Sequence, residues 1–304
     1  MIIMNLKKPK VIISIPAYNE EKTLPSVIAE IKNIMKKTNY NYKIHVLNDG
    51  SSDKTALVAK KAGAAVTSNK INLGLAETFR REMKYFLNQK ADIFVHIDAD
   101  GQYPAAYIPR MIKGVQEGSD MVVGSRFGFK GQGKYAGPVS KRLGNIIFAK
   151  ALEGLTRQKI PDTTTGYRAF TREVAMLPVI NDFTYTQEQL IRAGRAGMKI
   201  TSVPIYTNKT RKSRLFKGTF DYAVRAWINI FRIYRDYKPL KFFGSIGLVF
   251  FLIGFILGLY VTYDFLLTGL TGIYQKVPTI LLAVLFLTTG LQIILFGFLS
   301  DKMR

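Results

Sequence analysis

The stretch ADIFVHIDADGQYP, Ala91 to Pro104, opens as an apolar run and closes on two carboxylates one residue apart, Asp98 and Asp100. Its first half carries β-branched and aromatic residues, the composition of a strand buried on both faces. Its second half is polar and contains glycine and proline, which end a strand. Two carboxylates so close repel each other unless a positive charge lies between them. A strand that ends this way either meets solvent or holds a cation.

Working outward, short apolar runs alternate with helical periodicity. Strands are predicted at Val11–Ile15, Lys43–Leu47, Ala64–Thr67, Ile93–Ile97 and Met121–Val123, and helices at Glu20–Lys37, Asp53–Ala62, Leu75–Asn88 and Ala105–Glu117. That alternation predicts an α/β domain with a parallel or mostly parallel sheet and helices on both faces. Ligands bind such sheets beyond the carboxyl ends of the strands. The polar clusters fall there: PAYNEE (Pro16–Glu21), NDGSSD (Asn48–Asp53) and DADGQ (Asp98–Gln102). The first turn has no G-x-G-x-x-G and the chain has no P-loop, so any nucleotide is held by another scheme.

Composition removes several chemistries. Among 304 residues there is no cysteine and only two histidines, His45 and His96, which excludes disulfides, thiolate sites and a multi-imidazole zinc centre. His96 is expected in the core. The net charge of +23 points to an anionic partner. From Phe242 to Ser300, however, the only charged residues are Asp264 and Lys276, so the excess belongs to the N-terminal part. The uncharged runs Phe242–Tyr263 and Val277–Ser300 would make helices of roughly 33 and 36 Å, enough for a bilayer core of about 30 Å. Gly254 and Gly258 form a small-xxx-small pair that lets helices approach, through which homo-oligomers could form. Arg232, Arg235, Lys238 and Lys241 before the hairpin, with Lys302 and Arg304 after it, place the N-terminal domain and both termini in the cytoplasm. Met1 to Lys10 is too short and too basic at its end for a signal peptide. Phe220, Ala223, Val224, Trp227, Ile230, Phe231 and Tyr234 recur at helical spacing among arginines, the pattern of a helix lying in the membrane interface. The expected organisation is a soluble domain over 1–216, an amphipathic helix region over 217–241, and a two-span hairpin with a short tail over 242–304.

The strand-end clusters SIPAYNEE (Ser14–Glu21), LNDGSSDKT (Leu47–Thr55), NLGLAETFR (Asn72–Arg80), HIDADGQYP (His96–Pro104) and VVGSRF (Val122–Phe127), in that order, resemble the family 2 glycosyltransferases. The resemblance covers about residues 10 to 215. It implies a GT-A fold and a nucleotide-diphosphate-sugar donor. DTTTGYRAF (Asp162–Phe170), FTYTQEQLIRAGRAGMKITSVPI (Phe183–Ile205) and SRLF (Ser213–Phe216), before an amphipathic helix and a hairpin, look most like the polyprenyl-phosphate (dolichyl-phosphate) hexose synthases of that family.

Asp98 and Asp100 suit a divalent ion bridging to a diphosphate leaving group, and oxygen-only ligands favour Mg²⁺ or Mn²⁺. By resemblance Gln102 completes the metal site, and Pro16, Ala17, Tyr18, Glu20, Asp49, Asn72 and Gly74 line the donor pocket. Glu21 is read as stabilising a helix start. Asn48 stands where relatives carry an aspartate that helps hold the base; an amide offers both acceptor and donor, which leaves uracil and guanine open. Ser51–Asp53 can cap the next helix. Arg126 faces donor or acceptor phosphate, and Thr164, Thr165 and Arg168 cradle the lipid phosphate by resemblance. Lys209, Arg211, Lys212 and Arg214 take the place of a glycine-containing basic loop that in relatives folds over the diphosphate; here the glycine is missing. Glu188 orients either the acceptor or a helix, and the resemblance puts it at the active-site edge.

The chemistry implied is a single displacement. A polyprenyl phosphate is already an anion, so its attack on the anomeric carbon needs no strong general base, in keeping with so few histidines. One displacement inverts the anomeric carbon. UDP-glucose, a UDP-N-acetylhexosamine and GDP-mannose all fit, with a lean by resemblance to a UDP-sugar. A processive polysaccharide synthase usually carries Q-x-x-R-W, and QEQLIRAG (Gln187–Gly194) has no tryptophan. A membrane-tethered nucleic-acid binder would use the charge, but no RNA-binding signature appears among the aromatics, so nucleic acid is not an expected partner.

Overall fold

The computed structural model describes residues 8–127, 139–180, 185–208, 228, 231–232 and 235–303. Two compact units divide the chain, residues 1–223 and 224–304.

In the first unit seven strands form one sheet: β1 (Lys10–Ala17), β2 (Asn41–Asn48), β3 (Ala65–Ser68), β4 (Ile93–His96), β5 (Met121–Ser125), β6 (Arg168–Thr171) and β7 (Ile200–Pro204), in spatial order β3-β2-β1-β4-β6-β5-β7. Neighbours are parallel except β6, which runs antiparallel to both β4 and β5. Six strands therefore point their carboxyl ends at one rim. The seventh, being reversed, starts at that rim. The expected mostly parallel sheet is present, with β6 and β7 added beyond the predicted strands. Four residues of β6, RAFT, are too few to show a period.

The helices are α1 (Leu24–Met35), α2 (Thr55–Lys61), α3 (Leu75–Asn88), α4 (Ile108–Gln116), α5 (Val139–Thr156), α6 (Arg172–Ala175) and α7 (Tyr185–Arg195). Helix α1 buries Leu24, Val27, Ile28, Ile31 and Met35, a stripe at helical spacing. It begins at Leu24 with Pro25 in its first turn, so Glu20 and Glu21 precede it instead of lying in its first turn as expected. Strand β1 is apolar except for Lys10 and Ser14 and is buried from Val11 to Ala17. Ile13, Val95 and Ala169 lie across the sheet from one another in register, within a continuous core. Fully burying each such aliphatic side chain stabilises the fold by about 1.5–3 kcal/mol.

The second unit is a helical hairpin. Helix α8 (Pro239–Gln275) is interrupted at Gly269, whose φ is 67°, and α9 (Val277–Lys302) follows. Both are long and apolar enough to cross a membrane, and only 11% and 17% of their most apolar windows is buried, unlike core helices of a soluble protein. Glycines let their backbones touch: a Cβ on Gly247 would meet the Gly290 carbonyl oxygen at 2.6 Å, and one on Gly254 the Ala283 carbonyl oxygen at 2.8 Å. Gly258 has nothing within 4 Å, so of the expected glycine pair only Gly254 packs the hairpin. Most of the amphipathic stretch expected over 217–241 lies outside the described residues.

Candidate active site

The polar clusters converge on the rim where the parallel strands end. At the end of β4 the chain passes through Asp98 and turns at Gly101, whose φ of 72° suits glycine. Asp100 Oδ1 accepts a hydrogen bond from the Gln102 amide at 2.9 Å, which closes the turn. Asp98 is half-buried. Burial raises its pKa to about 6; His96 opposes the rise, and Asp100 and Glu82 add to it. A carboxyl in that setting is short of positive charge. Among the described residues no group of three or more His, Cys, Asp or Glu converges. Two carboxylates one residue apart, with Gln102 two residues further on, are the oxygen donors that a hard cation such as Mg²⁺ or Mn²⁺ would accept.

The loop is fastened to the chain leaving β7. Asn208 donates its amide N–H to the Gln102 carbonyl oxygen at 2.9 Å and its side-chain Nδ2 to the Gly101 carbonyl oxygen at 3.0 Å. Lys209 is the next residue. Lys209, Arg211 and the rest of the expected basic loop lie outside the described residues.

On the β1–β3 side the rim is built from turns. Asp49 is buried, and its carboxylate accepts from Asn69 Nδ2 at 2.7 Å, the Leu73 amide at 2.9 Å and the Gly74 amide at 3.0 Å. Gly50 lets this turn approach the 71–72 backbone, where a Cβ would lie 2.3 Å from the Ile71 carbonyl carbon. Asn48, expected to meet the base, is buried and engaged: Nδ2 donates to Ser68 Oγ at 3.1 Å and Oδ1 accepts from the Ser51 amide at 3.3 Å. It shapes the turn through these two bonds. Glu20 is likewise turned inward, its Oε2 accepting from Thr23 Oγ1 at 2.8 Å. Glu21 accepts from the Lys54 amide at 3.0 Å, so it serves the start of α2. Asp53 accepts from the Thr55 amide at 2.9 Å, but the N-cap is Lys54, which makes no side-chain cap, so the cap expected within Ser51–Asp53 falls one residue later. Pro16, Ala17, Tyr18 and Asn72 stand at the rim, Tyr18 and Asn72 exposed. Asn72 Oδ1 accepts from the Gly74 amide at 3.1 Å.

On the β5–β7 side the rim is held by buried charges. Arg126, just past β5, makes a two-pronged ion pair with Asp162, Nε to Oδ2 at 2.8 Å and Nη2 to Oδ1 at 3.0 Å, and donates to Thr164 Oγ1 at 2.8 Å. Burial would raise the Asp162 carboxyl, but the Arg126 charge and hydrogen bonds outweigh it and hold the pKa below the usual range. Asn145 on α5, which the sequence does not single out, accepts from the Thr163 amide at 3.0 Å and donates to the Pro161 carbonyl oxygen at 2.6 Å. An asparagine inside an amphipathic helix carries no sequence signal for such a role.

Two expected site residues are corrected here. Arg168, expected as a lipid-phosphate ligand, is 1% exposed, and its guanidinium donates to the carbonyl oxygens of Thr165 and Thr186 and to Gln189 Oε1. It supports the Thr164–Gly166 turn from beneath, and Thr165 is buried with it. Glu188, expected at the active-site edge, is 2% exposed, pairs with Arg192 at 2.7 Å and accepts from the Ile180 amide at 3.0 Å. It joins α7 to the segment after α6. Thr164, which meets Arg126 and Asp162, remains at the turn surface.

His96 is in the core, as expected, and lies in a buried polar row. His45, Ser14, His96 and Arg168 face one another in register across β2, β1, β4 and β6. Glu82, from α3, accepts from Ser14 Oγ at 2.6 Å and lies 3.3 Å from His96 Nε2. Burial lowers the His45 pKa to about 4, and Lys43 adds to that, so this ring is neutral.

The residues matched by the model of "Glycosyl transferase family 2" run from 12 to 176, more than half of the chain. Glycosyltransferase AglJ of Haloferax volcanii is 29% identical over 94% of this chain and 91% of its own length. The dolichyl-phosphate hexose transferase of the same organism is 32% identical over 65% of this chain and 83% of its own. The undecaprenyl-phosphate 4-deoxy-4-formamido-L-arabinose transferase of Photorhabdus laumondii is 27% identical over 96% and 88%. Glucosyl-3-phosphoglycerate synthase from Mycobacterium tuberculosis, solved with Mn²⁺, uridine diphosphate and glucosyl-3-phosphoglycerate, shares the fold at a TM-score of 0.54 and 20% identity, over 73% of this chain and 80% of that one. The sheet order, the carboxylate rim and these matches agree: the chain is a glycosyltransferase and belongs to glycosyl transferase family 2.

Proposed function

We propose that the enzyme transfers a hexosyl group from a nucleotide-diphosphate sugar to a polyprenyl phosphate, with inversion, at the cytoplasmic face of a membrane. The observation that carries this reading is the contact of two turns. Gly166 packs so closely on the metal-loop carboxylate that a Cβ there would lie 3.2 Å from Asp98 Oδ1. A threonine-rich turn backed by arginines thus abuts the carboxylates suited to a sugar diphosphate. A phosphate nucleophile seated on the first turn would stand beside the anomeric carbon of a donor seated on the second.

Asp98, Asp100 and Gln102 would hold Mg²⁺ or Mn²⁺, which supplies positive charge to the departing diphosphate. The chain's own groups do the rest. Asp49 and Gly50 fix the turn on which the nucleoside sits, Tyr18 offers an exposed ring beside it, and Arg126 presents positive charge at the acceptor turn while Asp162 holds its direction. The acceptor oxygen is already ionised, so it attacks without giving up a proton, and catalysis rests on positioning and electrostatics. The relatives named for dolichyl and undecaprenyl phosphate support the acceptor class.

Membranes containing the enzyme, given radiolabelled UDP-glucose, UDP-N-acetylglucosamine or GDP-mannose with polyprenyl phosphate, are expected to form an acid-labile, chloroform-soluble sugar lipid from one donor. No product with any donor would sink the reading. Because the chain has no native cysteine, single cysteines in the 1–216 domain and at position 276, between the two hairpin helices, report orientation directly. Labelling of the first from outside the cell would overturn the cytoplasmic assignment.

A further inference from the structure

The buried row beneath the rim has no part in the displacement itself, yet it touches the turn that packs on Asp98. His96 Nδ1 lies 2.9 Å from the Gly166 carbonyl oxygen. A carbonyl can only accept, so Nδ1 carries the proton. That leaves Nε2 facing Glu82 Oε2 at 3.3 Å, within ion-pair distance, and neither atom has another partner among the described residues. Glu82 in turn is fixed by Ser14, whose Oγ–H goes to Oε1 at 2.6 Å. The Ser14 oxygen then accepts from His45 Nδ1 at 3.0 Å. His96 and Glu82 are 1% and 0% exposed, so water does not compete for these bonds.

We infer that His96, oriented by Glu82, is a positioning residue that fastens the Gly166 end of the acceptor turn against the metal-loop carboxylate. The geometry gives the bond one purpose. Gly166 is the point where the turn meets Asp98, and its carbonyl is the group His96 holds. The other end of the turn is held by Arg126 with Asp162 and by Asn145. Arg168 holds the middle through the Thr165 carbonyl. Without His96 the turn keeps its far anchors and loses registry with the donor side. An ångström of drift between reacting groups costs on the order of 100-fold in rate.

This inference rests on the proposed reaction for its kinetic test. Removing His96 alone would strand a buried carboxylate and risk the fold, so two double variants are compared: His96→Asn with Glu82→Gln, and His96→Leu with Glu82→Gln. Asparagine places its Nδ2 near the position of the imidazole Nδ1 and can donate to Gly166; leucine cannot. The leucine variant is expected to lose about 10- to 100-fold in kcat/KM for the polyprenyl phosphate, with KM for the nucleotide sugar unchanged and a melting temperature matching that of the asparagine variant. The asparagine variant is expected to keep most of the activity. Equal kinetics in the two variants, or a raised KM for the nucleotide sugar in the leucine variant, would overturn the inference. If wild type transfers no sugar to polyprenyl phosphate, the proposed function fails and the second measurement still decides this point. In ¹⁵N spectra of the wild-type chain, with His45→Gln separating the two rings, His96 is expected to show a protonated Nδ1 protected from exchange. A bare Nδ1 would overturn the inference whether or not the variants fold.

Discussion

The two flanks of the rim reach the same edge by different physics. On the β1–β3 flank, polar side chains bind backbone amides: Asp49 takes two amides and a side-chain N–H, and Asn48 takes one amide while donating its Nδ2 to Ser68 Oγ. On the β5–β7 flank, charge binds charge largely out of water: Arg126 with Asp162. A carboxylate that collects N–H groups stabilises a turn whatever ligand arrives. A buried ion pair repays its desolvation only if both partners stay in place. The first flank is a rigid seat, while the second depends on each of its members.

The contrast is sharpest where the flanks meet, at the metal loop. Asp100→Asn removes a charge that neither flank can replace, and kcat/KM is expected to fall about 10³-fold, equivalent to ~4 kcal/mol. Turnover measured across a Mn²⁺ titration checks it; full activity at limiting metal would remove Asp100 from the metal site.

Next comes the ion-paired flank. Asp162→Asn leaves Arg126 mostly buried without its counter-charge, and unfolding in urea is expected to show a loss of about 3 kcal/mol. The pH dependence has a definite sign. The folded pKa of Asp162 lies below its usual value, so its contribution is complete above that value and is lost as pH falls through the folded one. Wild type is therefore expected to weaken below about pH 4, and the Asn variant to show a shallower acid slope. Parallel acid slopes would mean that Asp162 is not the group responsible.

The amide-built flank breaks through its backbone instead. Gly50 has a φ of 67°, and a methyl group there would strike the Ile71 carbonyl carbon at 2.3 Å. Gly50→Ala is expected to cost about 1–3 kcal/mol and to raise the KM for the nucleotide sugar, with the KM for acceptor unchanged. A variant of wild-type stability would show that the turn yields.

How much of this is legible in the sequence follows the same division. The parallel half reads directly because each strand is a continuous apolar run ended by a polar turn, and helix α3 is anticipated at both ends, Leu75 and Asn88. The carboxylate loop is legible because two acids one residue apart at the end of a buried strand need either open solvent or a cation. In the β5–β7 half only β5 is legible, as Met121–Val123. Strand β6 is four residues long, and its direction, which brings the Asp162–Gly166 turn to the rim, is set by tertiary pairing. Arg126, Arg168 and Glu188 stand out in the sequence as charged residues near the site, but sequence does not tell whether a charge faces a substrate or a counter-charge. Glu82 and Asn145 do not stand out because each is a single polar residue in an ordinary amphipathic helix, and its partner lies far along the chain, 68 residues away for Ser14 and 18 for Thr163.

Glu188 gives the smallest effect and separates the two roles most cleanly. Its pair with Arg192 is partly exposed on the arginine side, so screening limits its worth. The Ile180 amide bond adds a modest amount. Glu188→Gln keeps an acceptor for that amide and removes the charge, and about 1 kcal/mol of stability is expected to go. A group that only joins α7 to the preceding segment leaves kcat within about 3-fold of wild type, a change worth less than one tenfold step of 1.36 kcal/mol. A group that met the acceptor would lower kcat far more at unchanged stability. Stopped-time assays beside urea titrations of the same preparation distinguish the two, and a catalytic loss without a stability loss would return Glu188 to the active-site edge.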